Sequence, residues 1–160
     1  VMGIGTPHDL LAAVRSGVDM FDCVMPSRHA RNGQLFTFAG RLNIRQSRFR
    51  DDPGPADPGC ACRACRSHSR AYLRHLHEQN DPLYGRLATI HNLFFFHQWV
   101  GALRAALRAQ RFAAVDALFS SIITDCYLKK PEIVSKRPRA AVPPVAPDTT
   151  PVTTPASTAG

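Results

Sequence analysis

The chain has 160 residues, 44% of them hydrophobic, which suits one packed domain or one large piece of a bigger one. Its apolar bursts, such as Leu93-Phe94-Phe95-Phe96, are far short of the roughly 18 residues of a membrane span, and no stretch reads as a secretion signal. The formal charge of +8 favours a polyanionic partner, with nucleic acid ahead of an acidic membrane surface.

Val1 to Gly5 reads as a strand end. With Val rather than Met in first place, the chain is expected to be a fragment lacking an N-terminal part. Thr6-Pro7-His8-Asp9 reads as a helix start: Thr6 suits the N-cap, Pro7 the first helical position and Asp9 the capping-box acid. Leu10, Leu11 and Val14 give that helix an apolar face, and Gly17 ends it. Val18 to Met25 reads as a second strand closed by Pro26, so strand, helix and strand predict a parallel α/β arrangement. Such sheets carry sites at the C-terminal ends of their strands, which points to Gly3–Asp9 and Asp22–Arg31.

Ser27 to Gly33 is polar and basic and is expected to be a loop. Leu35–Phe38 and Leu42–Ile44, around Ala39-Gly40-Arg41, predict a hairpin. Asp51 to Gly59 is rich in Asp, Pro and Gly and is expected to be irregular. A helix is predicted over Ser67–Gln79, a turn at Asn80-Asp81-Pro82, and a second helix over about His91–Ala109 with Phe96, Val100, Leu103 and Leu107 as its buried stripe. From Ser120 the composition changes. The Pro/Thr/Ala-rich stretch beyond Pro131 cannot bury enough surface to offset its ordering entropy, so a disordered tail is expected.

Cys60, Cys62 and Cys65 fall within six residues, a poor layout for a disulfide framework and a good one for one tetrahedral ion. A closed structural site needs a fourth ligand. His68, His75, His77, His91, His97 and Cys126 are all available, and spacing does not choose among them. His91 is attractive because, at the start of the predicted second helix, it would face back to the cysteine loop. Three free thiols would be an oxidation liability. A catalytic zinc of the base-deaminase type would need a histidine-x-glutamate element that the chain lacks. The reading is one structural zinc in a reducing cytoplasm.

Asp22 lies inside the apolar run Met20-Phe21-Asp22-Cys23-Val24-Met25, where a carboxylate is costly unless it is paired or exposed at a strand end. There it would serve either as a nucleophile or base at an active-site mouth, or as an acceptor for the amides of Ser27–Arg31. Arg28 and Arg31 are spaced to reach one anionic or base-edge target. Arg41, Arg45, Arg48 and Arg50 suit phosphate contacts.

These segments together resemble the tRNA-guanine transglycosylases, most closely the bacterial branch. The resemblance rests on Gly3-Ile4-Gly5-Thr6-Pro7, Asp19-Met20-Phe21-Asp22-Cys23-Val24-Met25-Pro26-Ser27-Arg28, Ala30-Arg31-Asn32-Gly33, Gly54-Pro55, Asp57-Pro58, the Cys60/Cys62/Cys65 cluster, Ser69-Arg70-Ala71-Tyr72-Leu73 and Ile90-His91-Asn92-Leu93, and it runs from Val1 to about Phe119. Ser27 stands where the family more often has Thr, and His29 where Asn is common. The stretch from Ser120 departs from the family pattern.

The resemblance implies an α/β fold, the C-terminal part of a (β/α)8 TIM barrel with an inserted zinc-binding subdomain. Residues 1–33 would be the last βαβ part with the catalytic strand, 34–90 the zinc-binding subdomain, 91–119 the closing helical region and 120–160 a divergent tail. It implies exchange of guanine at the tRNA wobble position for a 7-deazaguanine, with Asp22 as nucleophile. The zinc ligands would be Cys60, Cys62, Cys65 and His91. The tRNA contacts would come from Gly3, Ile4, Gly5, Thr6, Pro7, His8 and Asp9, and from Ser27, Arg28, His29, Ala30 and Arg31. It also implies a homodimer, and a fragment inactive by itself. The alternative is a non-catalytic zinc-containing module for tRNA binding or dimerisation.

Overall fold

The computed structural model describes residues 1–124, the side chains of 114, 115 and 118 excepted. Cys126 and the Pro/Thr-rich tail lie outside the described residues. The first helix, α1 (Pro7–Arg15), starts as its sequence predicts: the Asp9 amide donates to the Thr6 hydroxyl at 3.1 Å. That hydroxyl in turn donates to the Asp9 carboxylate at 2.5 Å. The helix ends in a Schellman motif. Gly17 takes a left-handed φ of 84°, its amide donates to Val14, and the Val18 amide reaches back to Ala13.

The two segments flanking α1 meet as parallel neighbours, but only at one bridge, Met2 with Asp22. The extended run expected over Val18–Met25 is therefore not a strand: Met20 and Val24 are exposed, and Met25 already belongs to a helix. A single pair of parallel segments lacks the neighbours that normally bury both faces of such strands. Residues 27–33 correct the loop expectation. Met25–Arg31 form α2, because Pro26 sits in a helix's first turn, where no intrahelical hydrogen bond is lost.

Strands β1 (Gln34–Thr37) and β2 (Gly40–Asn43) form the predicted hairpin, with its turn tightened to residues 38 and 39. The Thr37 hydroxyl accepts from Ala39 N–H and donates to the Gly40 carbonyl at 2.8 Å, which draws Gly40 into the ladder. A 3-10 turn, Ser47–Phe49, and the irregular 51–59 stretch follow. Two short helices come next, α3 (Arg63–Ser67) and α4 (Arg70–Glu78).

Helix α5 (Pro82–Arg108) is one continuous helix of 27 residues, capped by Asp81. At about 1.5 Å per residue it is roughly 40 Å long and acts as the spine of the molecule. Its N-terminal half joins Tyr84, Leu87 and Ala88 to a core built with Leu35, Leu42, Ile44, Leu73 and Leu76. Its C-terminal half joins Phe95, Phe96, Trp99 and Leu103 to a second core with Leu10, Leu11, Phe119 and Ile123. The expected stripe is corrected here, because Val100 and Leu107 are exposed. The buried face turns instead through Phe95, Trp99 and Ala106, where Trp99 stacks on Phe119 at a centroid distance of 3.9 Å. The last helix of the described residues, α6 (Phe112–Ile123), continues past Ser120, where the change of character was expected, and Arg15 of α1 ties to it through Asp116 at 2.6 Å.

Strand alternation gives β1 a second task. Leu35 points into the first core and Phe36 into the second, so the strand lies between the two.

Candidate metal centre and the exposed carboxylate

The ligand atoms of Cys60, Cys62, Cys65 and His91 all lie within 4.8 Å of one another. Each arrives by a local device. Asp57 is buried; its carboxylate accepts from Phe38 N–H at 3.2 Å and Gly59 N–H at 3.0 Å, and its carbonyl accepts from Cys60 N–H. This Asx turn presents Cys60. Cys62 is the N-cap of α3, and its sulfur accepts from the Cys65 amide at 3.4 Å, so one turn of helix sets the second and third thiols on one side.

His91 lies on the buried face of α5, in the middle of the helix rather than at its start. The reason first given for preferring it is thus corrected, while its place in the cluster stands. Its Nδ1 is 3.2 Å from the Cys65 sulfur and 3.7 Å from those of Cys60 and Cys62. A tetrahedral ion with metal–sulfur bonds near 2.3 Å holds its ligand atoms roughly 3.5–4 Å apart, so this spacing fits. The other ring nitrogen, Nε2, donates to the Phe36 carbonyl at 2.8 Å. That bond fixes the tautomer in which Nδ1 presents its lone pair to the sulfurs, as a metal-bound imidazole requires.

The proton affinities express the same crowding. Hydrogen bonds with Cys60 and Cys65 hold the Cys62 thiol far below the usual thiol range. Hydrogen bonds with Cys62 and Cys65, together with burial, push Cys60 far above it. For His91, burial pulls the imidazole down, but its sulfur partners outweigh burial and raise it to about 10. The Cys62 thiolate favours a proton on Nδ1, and a divalent cation competes for the same place.

The other histidines proposed as the fourth ligand lie elsewhere. His75 and His97 are exposed, His68 stacks on Tyr72 at 5.1 Å, and His77 lies edge-on to Tyr84 beside Arg45. The chemistry of the four-group set, soft thiolates with one imidazole, is that of a closed zinc site.

Asp22 has different surroundings. Its peptide pairs in parallel with residues 1–3: Gly3 N–H donates to its carbonyl at 2.7 Å and its own N–H donates to Val1 at 3.1 Å. Its side chain is exposed. The amides expected to hold that carboxylate are drawn into α2 instead, Arg28 N–H donating to the Val24 carbonyl. The structure does bring the two flanking segments to Asp22. Gly3 pairs with it, and Gly5 packs against Cys23 so closely that a Cβ would collide with its sulfur.

Within those segments, Thr6, Pro7 and Asp9 are used in capping α1, while Gly3 and His8 are exposed. Arg28 and Arg31 are exposed one helical turn apart on α2, and Ser27 is bound to the Val24 carbonyl. His29 Nδ1 donates to the Gln34 amide oxygen at 2.5 Å and the ring meets Phe36 edge-on, and Ala30 is buried in the first core.

Asn92, fully buried beside His91, is a further residue of this region beyond those singled out above by their chemistry. Its carbonyl oxygen accepts from Phe36 N–H, and its amide donates to the Pro26 and Gln34 carbonyls. A polar residue inside an apolar helical run was the available signal.

The family model described as queuine tRNA-ribosyltransferase matches residues 1–123. Among similar proteins is a queuine tRNA-ribosyltransferase of Solidesulfovibrio magneticus, 54% identical over 117 residues, covering 73% of this chain and 31% of that protein. A second, from Nitratidesulfovibrio vulgaris, is 51% identical over 122 residues, covering 76% and 32%. A third, from Novosphingobium aromaticivorans, is 51% identical over 119 residues, covering 74% and 32%. The chain thus spans about a third of the length of these relatives.

Proposed function

The chain belongs to the queuine tRNA-ribosyltransferase family, and from that premise we propose that it supplies the nucleophile-bearing and zinc-bearing part of a tRNA-guanine transglycosylase. The observation that carries this reading is the position of Asp22. Within the matched residues it is an exposed carboxylate at the one point where two parallel segments pair, as at the end of a barrel strand. In this reading the paired segments and α1 are the last part of a (β/α)8 barrel. Residues 34–90 form the zinc-binding subdomain and 91–119 the closing region.

The chemistry follows from the group. Asp22 attacks ribose C1′ as the bond from C1′ to guanine N9 breaks, and guanine leaves with the bonding electrons and takes up a proton. A 7-deazaguanine then attacks C1′ through its ring nitrogen, loses a proton, and releases the Asp22 carboxylate. Two displacements at one carbon give net retention, as in retaining glycosidases, with ping-pong kinetics. Arg28, His29 and Arg31 of α2, with residues 3–9, flank Asp22 and suit an unstacked anticodon loop.

Cys60, Cys62, Cys65 and His91 would hold one zinc ion. When bound, the ion supplies folding energy and fixes α3 and β1 against α5; it takes no part in base exchange. Thiolate ligands call for a reducing compartment, and the cytoplasm is the proposed location. No helix of the described residues is long and apolar enough to cross a membrane. By itself the chain is proposed to be inactive, and in the longer protein to form a homodimer.

A chimera in which this chain replaces its matching segment in the Solidesulfovibrio magneticus relative tests the reading. Incorporation of labelled guanine into tRNA, lost in Asp22→Asn, is the expected outcome. The enclosed cysteine cluster, which needs nothing from Asp22, favours one alternative: a non-catalytic zinc module that binds tRNA or dimerises. Salt-dependent tRNA binding by the chimera with no guanine incorporation would establish that alternative.

A further inference from the structure

His91 and Asn92 are consecutive on α5, and both grip one residue of β1. His91 Nε2 donates to the Phe36 carbonyl at 2.8 Å, and the Phe36 amide donates to Asn92 Oδ1 at 3.0 Å. The remaining capacity of Asn92 is also used. Nδ2 donates to the Gln34 carbonyl at 3.0 Å and to the Pro26 carbonyl at 2.9 Å. Its orientation is forced, because one N–H partner and two carbonyl partners leave a single assignment for the amide. Pro26 lies in the first turn of α2, four residues after Asp22, and α2 carries Arg28 and Arg31. Asn92 is 0% exposed, so each bond is made in a low-dielectric interior where an orphaned partner is costly.

We propose that Asn92 is a positioning residue that ties the segment after Asp22 to the metal-bearing stretch of α5, so that filling the cysteine–histidine site tightens α2. The chain of contacts is continuous: the ligand His91, the Phe36 peptide, Asn92, and the Pro26 carbonyl at the start of α2. Side-chain packing runs in parallel, since His29 of α2 lies edge-on to Phe36 at 5.7 Å. The consequence for base exchange rests on Asp22 acting as proposed above, but the mechanical coupling does not.

The test is hydrogen exchange of the chain with zinc bound and after chelation, in the native sequence and in Asn92→Asp. The aspartate keeps an oxygen for Phe36 N–H but cannot donate from both positions to the Pro26 and Gln34 carbonyls. In the native chain, chelation is expected to speed exchange of the α2 amides by about tenfold or more, the scale of one or two buried hydrogen bonds. Helices α1 and α6 are expected to stay protected. In Asn92→Asp with zinc bound, α2 is expected to exchange fast already and chelation to add little, while α3 responds as in the native chain. Conversion of that pattern by Asn92→Gln back toward the native response would further support the role, since glutamine retains the amide.

Three results overturn the inference: native α2 indifferent to chelation, α2 equally responsive in both chains, or loss of protection throughout, α6 included. The first and third are read on the native chain alone, so poor folding of a variant does not shield the proposal. None of the readouts requires base exchange. Failure of the transglycosylase reading therefore shows in the guanine assay and failure of the coupling shows here.

Discussion

The cysteine–histidine cluster is enclosed by α3, α5, β1 and the loop around Asp57, and two of its sulfurs and its imidazole are buried. Asp22 stands exposed on a segment held by one parallel bridge and the contact of Gly5 with Cys23. In the first region, every ligand is oriented by its own loop turn, by its own helix turn or by a hydrogen bond to a neighbouring element. In the second, the backbone is placed and the side chain is left open to solvent. The contrast separates two kinds of site. On the proposed reading, a centre that holds structure together is closed by its own chain, and a group that meets a substrate is positioned by its backbone and left reachable.

The sharpest way to break the contrast is to remove a buried thiolate. Cys62→Ser is expected to lower bound zinc from about one per chain to near zero and to cost several kcal/mol of stability, because metal binding and folding are linked. Metal analysis with thermal melting measures both. His91→Ala comes next, with an expected cost of about 2–4 kcal/mol and weakened zinc retention, since the change also removes the hydrogen bond to the Phe36 carbonyl. Unchanged zinc stoichiometry would return the fourth ligand to the other histidines.

In the second region, Gly5→Ala forces a methyl against Cys23, whose Cβ would lie 2.8 Å away. A loss of about 1–3 kcal/mol is expected from such overpacking. Cys23→Ala should restore only part of it, because the Cβ remains.

The smallest effect is electrostatic. Burial is the largest single influence on the Asp52 carboxyl and would raise it, but the hydrogen bonds from Arg70 at 2.9 Å and from Gly54 N–H, with the charges of Arg70 and Arg48, together outweigh burial and hold it below the ordinary 3.8. The stability this contributes is present above pH 3.8 and is lost as pH falls through the lower folded value. Asp52→Asn should therefore cost about 0.5–1 kcal/mol at neutral pH and nothing in strong acid, as read from melts across pH.

Much of this was legible in the sequence where one local rule acted alone. Thr6, Pro7 and Gly17 delimit α1 because capping chemistry is short-range. Cys60, Cys62 and Cys65 announce a metal because thiolates crowded in one loop have few other uses. The misreadings arose where tertiary contacts decided. Pro26 marks a helix start as readily as a strand end, and nothing local chooses between them. The stretch of α5 before His91 escapes the expected helix because its buried positions, Tyr84, Leu87 and Ala88, face a different core from Phe95, Trp99 and Leu103. A stripe fitted to the second half alone therefore landed on exposed Val100 and Leu107. His91 was named for the right cluster by a wrong local argument. Asn92 shows in the sequence only as a polar residue in an apolar run, since its role exists through the partners it meets on β1 and α2.

The central claim is that the chemistry belongs to Asp22 and the metal to structure. Mass spectrometry of the chimera, quenched during turnover with tRNA, tests it most directly. The account predicts an RNA fragment covalently attached to the peptide containing Asp22, absent in Asp22→Asn while zinc content and melting temperature are unchanged. An adduct on another residue, or one that persists in Asp22→Asn, would contradict it.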